Sequence, residues 1–377
     1  MTIVAETPGH LDSIEVILGV DTHAEDHVAA VIDPLGRHLA QASFETSTAG
    51  FKALLAWASG LGTIALAGVE GTGAYGAGLV RFLTGEGITV VEVDRPDRKT
   101  RRDQGKSDAI DAYAAARAAA SGRASGTPKT RTGDVESVRV LRVARTGAVR
   151  ARAKALTQLK ALIVTAPDAL RAQLRGLEST ALISTCARLR PAREQAPTPS
   201  PFAKRAPRPG RLPDPSAATK RTLASIAARI HALDLEIADL DDDLEALLRP
   251  LAPTLLDING VGLDGAGQLL VTVGDNPERI TTEAAFAHLC GVAPIPASSG
   301  KTTGKHRLNR GGDRAANAAL YRIVMCRLRH DPATRVYVER RTKAGKSKKD
   351  IIRSLKRYIA REVYTAIRTD LHPKNTP

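Results

Sequence analysis

The chain has 377 residues and carries 55 Lys plus Arg against 40 Asp plus Glu, a formal net charge of +15. That excess favours a polyanionic partner, because each phosphate neutralised releases counterions, while an aromatic content of 3% argues against a base-stacking platform for single strands. Cys186, Cys290 and Cys326 lack the spacing of a disulfide or zinc framework, and no run approaches the roughly 18 apolar residues of a membrane span; with no leader-like start, the expectation is a cytoplasmic protein with no membrane partner.

Residues 14–20 predict a strand that ends at Asp21, and 28–32 and 39–44 predict two more. Asp33-Pro34-Leu35-Gly36 is the turn between the latter two. A helix is expected over 51–57, a fourth strand over 64–69 that ends at Glu70, a helix over 75–83 and a fifth strand over 88–93. An alanine-rich helix then starts near Ser107, whose hydroxyl can cap it. Strands in a meander followed by strands alternating with helices imply an α/β domain built on a mixed sheet. Gly19 and Gly71-Thr72-Gly73 flank the first two acids and are expected to leave room for a substrate backbone.

Beyond residue 126 the pattern turns helical. Residues 135–164 form a long basic helix bearing Arg139, Arg142, Arg145, Arg150, Arg152 and Lys154. Residues 191–215 are rich in proline and read as a linker. Leu223, Ile226, Ile230, Leu233, Ile237, Leu240, Leu244 and Leu247 recur by threes and fours, the signature of a coiled-coil seam. Its partner is the 135–164 helix folded back or a second copy of the chain, and a hairpin that also dimerises satisfies both. Asp239, Asp241, Asp242 and Asp243 read as a solvated face. The expected division is thus 14–125, 126–250 and 251–377.

The last part begins with Ile258-Asn259-Gly260-Val261-Gly262, a helix-hairpin-helix-like turn whose glycines suit a close phosphate, or else a tight turn between packed helices. Ser298-Ser299-Gly300-Lys301 follows, then Lys305, Arg307, Arg310 and Arg314, a helix from Ala315, and a basic C-terminal stretch that includes Lys346, Lys348 and Lys349.

Four carboxylates carry the chemistry. Asp21 and Glu70 end strands, and Asp108 and Asp111, at i and i+3, share one helix face. Each alone suits a structural role; Asp108, for instance, fits a helix N-terminus. Together they suit a hard divalent cation, Mg²⁺ or Mn²⁺, for phosphoryl transfer. His23 and His27 lie nearby without a third soft-metal ligand and read as structural or supporting residues. Ser299 is the candidate nucleophile, a hydroxyl that needs activation, with Ser298 as its alternative; Lys301, Lys305, Arg307 and Arg310 are placed to stabilise a phosphorane or hold the backbone.

These motifs, Gly-Val-Asp-Thr-His (19–23), Glu70, Lys-Ser-Asp-Ala-Ile-Asp-Ala (106–112), Ala-Ser-Ser-Gly-Lys-Thr (297–302) and Arg-Leu-Asn-Arg-Gly-Gly-Asp-Arg (307–314), resemble in content and order the insertion sequence 110 family of transposases. The resemblance runs from about residue 14 to 365. It implies an N-terminal RuvC-like (RNase H-like) domain with an Asp-Glu-Asp-Asp metal site at Asp21, Glu70, Asp108 and Asp111. It also implies a central coiled coil and a mainly helical C-terminal domain with a catalytic serine at Ser299. The implied activity is recombination of double-stranded DNA through a serine–DNA link, guided by a structured non-coding RNA, in a homodimer or homotetramer whose active sites combine two subunits. Ala24 departs from the basic residue that many relatives carry there. A metal-dependent junction nuclease that uses water, and an actin-like phosphotransferase suggested by Gly19-Val20-Asp21 and Glu70-Gly71-Thr72-Gly73, are the competing readings.

Overall fold

A computed structural model describes residues 14–93, 108–194, 210–297, 306–309 and 311–371. Strand β1 (Glu15–Thr22) is buried along nearly its whole length, as a strand covered on both faces must be. It pairs antiparallel with β2 (Asp26–Ile32), which pairs antiparallel with β3 (His38–Glu45). On its other side β1 pairs parallel with β4 (Thr63–Glu70), and β4 pairs parallel with β5 (Val90–Val93). The sheet order is β3-β2-β1-β4-β5. The mixed sheet predicted from the alternation is therefore present, with strand limits shifted by one or two residues.

Each face of the sheet is covered by a different kind of helix. Val16, Leu18, Val20, Ala29 and Val31 form a core with Phe51 and Leu54 of α1 (Thr48–Ser59) and Leu79 and Leu83 of α2 (Ala77–Gly85). The Ser47 hydroxyl accepts from the Gly50 amide and caps α1. The opposite face carries α3 (Asp108–Ala120), which buries Ala112, Ala115, Ala116 and Ala119. Ser107, expected to cap it, lies outside the described residues.

The reason α3 fits is a glycine pair. Gly19 of β1 and Gly68 of β4 are direct partners in the parallel register. A Cβ on Gly19 would stand 2.2 Å from the Ala112 carbonyl oxygen, and one on Gly68 would stand 2.6 Å from that of Ala115. The helix backbone thus rests on the strand backbones, with small residues on both sides. Gly19 was expected to leave room for substrate; its space is instead filled by α3, because a helix of alanines can approach that closely and a longer side chain could not.

Contacts among the described residues form two compact units. The first contains the residues up to Glu136, Asp257–Val261 and those from Gln268 onward. In it the chain after α3 is bound to the C-terminal part by polar contacts. Asn276 Nδ2 donates to the Pro128 carbonyl at 2.9 Å, Asp275 Oδ1 accepts from the Val135 amide at 2.9 Å, and Arg279 Nε donates to the Thr127 carbonyl at 3.0 Å.

The C-terminal part is mainly helical: α8 (Pro253–Asp257), α9 (Leu263–Val273), α10 (Glu283–Leu289), a two-stranded ribbon of β6 (Pro294–Pro296) and β7 (His306–Leu308), then α11 (Arg314–His330), α12 (Pro332–Lys343) and α13 (Lys348–Leu371). Gly291 and Gly312 have φ of +64° and +87°. A Cβ on Gly312 would meet the Gly291 amide nitrogen at 2.6 Å, so the Gly311-Gly312 pair serves close backbone packing beside the ribbon.

The second unit, Ser137–Leu256 with Gly262–Gly267, is a helical hairpin. Its long arms are α4 (Asp134–Val164) and α7 (Pro215–Leu251), with α5 (Asp168–Leu174) and α6 (Ser179–Ala187) between them in sequence. Asp214 caps α7 by accepting from the Ala217 amide at 2.7 Å, and Pro215 opens it. Arg145 pairs with Asp241, Arg152 with Asp234, and Arg229 donates to Gln158 at 2.8 Å. Numbers rise on one arm as they fall on the other, so the arms are antiparallel and the fold-back partner is α4. Leu223, Ile230 and Leu244 are buried, whereas Leu233, Ile237 and Leu240 are half-buried. One expectation is corrected: Asp241 is not a freely solvated acid, because Arg145 reaches it across the hairpin. The stretch 195–209 of the proline-rich segment lies outside the described residues.

Candidate metal centre and nucleic-acid interface

Strand geometry sets the first pair of acids. Val20 and Val69 are register partners, so Asp21 and Glu70 come next on adjacent parallel strands and emerge on the same face. Alternation from Gly19 and Gly68 makes that the α3 face. The Thr22 hydroxyl donates to the Glu70 carbonyl at 2.9 Å and ties the two strand ends together. Gly71, at φ +71°, turns the chain immediately afterwards. Asp21, Glu70 and Asp111 retain only 7%, 9% and 6% exposure.

The first turn of α3 then supplies Asp108 and Asp111. His23 Nε2 lies 3.1 Å from Asp21 Oδ2 and 3.6 Å from Asp108 Oδ1. One donor atom each from Asp21, His23 and Asp108 falls within 4.8 Å of the others, close enough to share an ion. Burial pushes the Asp21 carboxyl above its ordinary value, His23 opposes this, and Asp111 and Asp108 add to the rise. A buried carboxyl whose proton affinity is raised by burial and by two neighbouring acids is in the electrostatic state a cation relieves.

His23 had been set aside in the sequence. The signal for it was the strand alternation: residues 21 and 23 share a face, and β1 continues through Asp21 to Thr22. His27 differs. It is fully buried, stacks on Phe51 with ring centroids 5.6 Å apart, and burial lowers its pKa; it belongs to the core.

The remaining predicted residues divide into three groups. Ser298, Ser299, Lys301, Lys305 and Arg310 lie outside the described residues, in or just beyond the connection from β6 to β7, and of Arg307 only the backbone, within β7, is described. Arg314, Lys346, Lys348 and Lys349 are exposed. Gly260, at φ +84°, sits in the turn between α8 and α9, where a Cβ would come within 3.3 Å of Ile323 on α11. Arg327 of α11 also donates to the Asn259 carbonyl at 2.7 Å. The space around Gly262 is open.

Two family models match the chain. A DEDD-type transposase model of the IS110 group covers residues 18–166, and one described as "Transposase IS116/IS110/IS902 family" covers 252–339. The chain belongs to the IS110/IS116/IS902 transposase family. Membership accounts for the order of the two halves: a DEDD domain first, and the second transposase domain after the helical arms.

Two curated relatives are similar over part of this family member. An insertion element IS110 uncharacterized 43.6 kDa protein of Streptomyces coelicolor is 35% identical over 125 residues, 33% of this chain and 31% of the relative. An insertion element IS900 uncharacterized 42 kDa protein of Mycobacterium paratuberculosis is 28% identical over 158 residues, 41% of this chain and 40% of the relative. The matched stretches thus span less than half the length of either relative. No helix among the described residues is long and apolar enough to cross a membrane.

Proposed function

We propose that this family member cuts and rejoins double-stranded DNA as the transposase of an insertion element. The observation that carries the reading is the convergence of Asp21, His23 and Asp108 at one end of the sheet, with Asp111 and Glu70 buried alongside. The oxygen-rich donor set fits Mg²⁺ or Mn²⁺, and the imidazole makes Mn²⁺ the more natural of the two. When bound, such an ion withdraws charge from a phosphoryl oxygen and lowers the pKa of a bound hydroxyl.

The chain's own residues do the rest. Asp21, Glu70, Asp108 and Asp111 hold the metal-binding end rigid, because each starts from a strand end or a helix turn rather than a loop. The Ser299 Oγ attacks a backbone phosphorus, a phosphorus–oxygen bond of the strand breaks, and the departing oxygen takes up a proton. The resulting serine–phosphate ester keeps the energy of the broken bond, so a second DNA hydroxyl can displace the serine and rejoin the strands. Arg314, Lys346, Lys348 and Lys349, with Lys301, Lys305, Arg307, Arg310 and the Gly260–Gly262 turn, contact backbone phosphates. Residues 14–125 supply the metal site, 126–250 a coiled coil that joins two or four copies, and 251–377 the serine, which meets the metal site of a neighbouring subunit. A structured non-coding RNA chooses the DNA partners by base pairing.

Ser299→Ala is expected to abolish covalent protein–DNA adducts while DNA binding persists. Adducts that survive in Ser299→Ala and vanish in Ser298→Ala would move the nucleophile by one residue. Cleaved ends that never carry protein would favour the metal-and-water nuclease.

A further inference from the structure

A cavity of about 290 Å³ lies between the ribbon and the first turns of α13, lined by Val292, Ala293, Pro294 and His306 on one side and by Asp350, Arg353, Ser354, Lys356 and Arg357 on the other. A water's share of the liquid is about 30 Å³, so a tetrahedral anion fits there with waters to spare. Lys356 is the unusual member. It is only 8% exposed, and its Nζ donates to Asn317 Oδ1 at 2.8 Å. Asn317 is itself held, since its Nδ2 donates to the Cys290 and Gly291 carbonyls, both at 3.0 Å. The ammonium is therefore fixed beneath the turn that leads into β6.

Among the described residues no carboxylate neutralises it. The other charges around the cavity are already arranged. Arg357 pairs with Glu283, which Arg361 also approaches, at 3.8 Å. Asp350 accepts from Ser347 at 2.6 Å and from Arg353 at 3.0 Å, in a half-exposed pair. Three cationic side chains thus line the space against one carboxylate. Burial, and after it the neighbouring Arg353 charge, lowers the pKa of Lys356. A buried cation faced by a neutral amide and another cation costs stability, and an anion in the cavity would offset that cost.

We infer that the cavity is a phosphate site in which Lys356, with Arg353, holds one backbone phosphate of the DNA. The inference rests on the reading of the chain as a DNA-cutting transposase. It makes Lys356 a positioning residue: the β6–β7 ribbon forms the other wall, so a phosphate gripped there sets where the strand lies along the ribbon.

The test uses the full chain carrying Ser299→Ala, in chelator, with labelled duplexes of unrelated sequence. Lys356→Gln should weaken binding about tenfold, equally for every sequence, and reduce the slope of log affinity against log salt by about one. Lys356→Arg should restore the slope, and the thermal midpoint of Lys356→Gln should be no lower than that of its parent. If the glutamine variant fails to fold, Lys356→Met, with an apolar chain of similar length, should give the same loss of slope. An unchanged slope in a folded variant would overturn the inference. So would stabilisation by inorganic phosphate that Lys356→Gln removes while the DNA slope stays fixed, since the pocket would then serve a free anion. Adducts still formed by Ser299→Ala would instead sink the serine reading and leave the slope result standing.

Discussion

The sheet end and the helical hairpin of this family member solve opposite problems. At the sheet, backbones come as close as atoms allow: Gly19 and Gly68 face Ala112 and Ala115, and a single methyl group would collide with a carbonyl oxygen. In the hairpin, α4 and α7 are joined through long side chains, Arg145 to Asp241 and Arg152 to Asp234, over a core that includes Ala155, Leu159, Leu223 and Ile230. Close approach fixes α3, and with it Asp108 and Asp111, against the strands that end in Asp21 and Glu70. A framework of long, half-exposed side chains over an apolar core tolerates more adjustment than backbone laid on backbone.

The contrast is broken most severely at the glycine pair. Gly19→Val should destabilise the first unit by about 3 kcal/mol or more in urea unfolding, because the backbone of α3 has nowhere to retreat. Any folded fraction should lose metal-dependent cleavage, since Asp108 and Asp111 move with the helix. Wild-type stability under these conditions would show that α3 shifts freely, and the close-packing account would fail.

Metal supplies the next effect. Saturating Mn²⁺ at a hundred times its dissociation constant should stabilise the wild type by about 2.7 kcal/mol. Asp21→Asn should cancel that gain, yet in chelator it should melt no lower than the wild type, because it removes a buried charge from a repelling cluster. A melting point that rises equally with Mn²⁺ in both proteins would place the ion elsewhere.

Truncation in the hairpin core is the sharper test of the second unit. Leu159→Ala, at a fully buried site, should cost about 2 kcal/mol or more and leave metal binding intact. Arg145→Ala should cost only about 0.5 kcal/mol, less at high salt, because its partner is 42% exposed. If Arg145→Ala proved as damaging as Leu159→Ala, the arms would depend on the ion pairs rather than on the core.

Much of the sheet was legible in the chain, because strand alternation and turn residues are local signals. The placement of Asp21 and Glu70 followed from it: apolar runs that end in an acid put that acid at a strand end. His23 was read as a structural or supporting residue; alternation put it on the face of Asp21, but its approach to Asp108 depends on a segment far along the sequence. The meaning of Gly19 was misjudged for the same reason, since its partner Gly68 and the helix above it come from other segments. Asp241 looked like one of four equivalent solvated acids until the hairpin brought Arg145 opposite.

By itself the sequence determined the order of elements, the basic character, the heptad spacing of α7 and the strand-end positions of Asp21 and Glu70, all of which depend on residues close together in the chain or on simple totals. Tertiary structure decided which groups share an environment. Cross-strand register paired the two glycines, let α3 descend and brought His23 between Asp21 and Asp108, and helix packing buried Lys356 beneath the ribbon. Register and packing are collective: they depend on the volumes and hydrogen bonds of distant segments at once, and no local pattern encodes them.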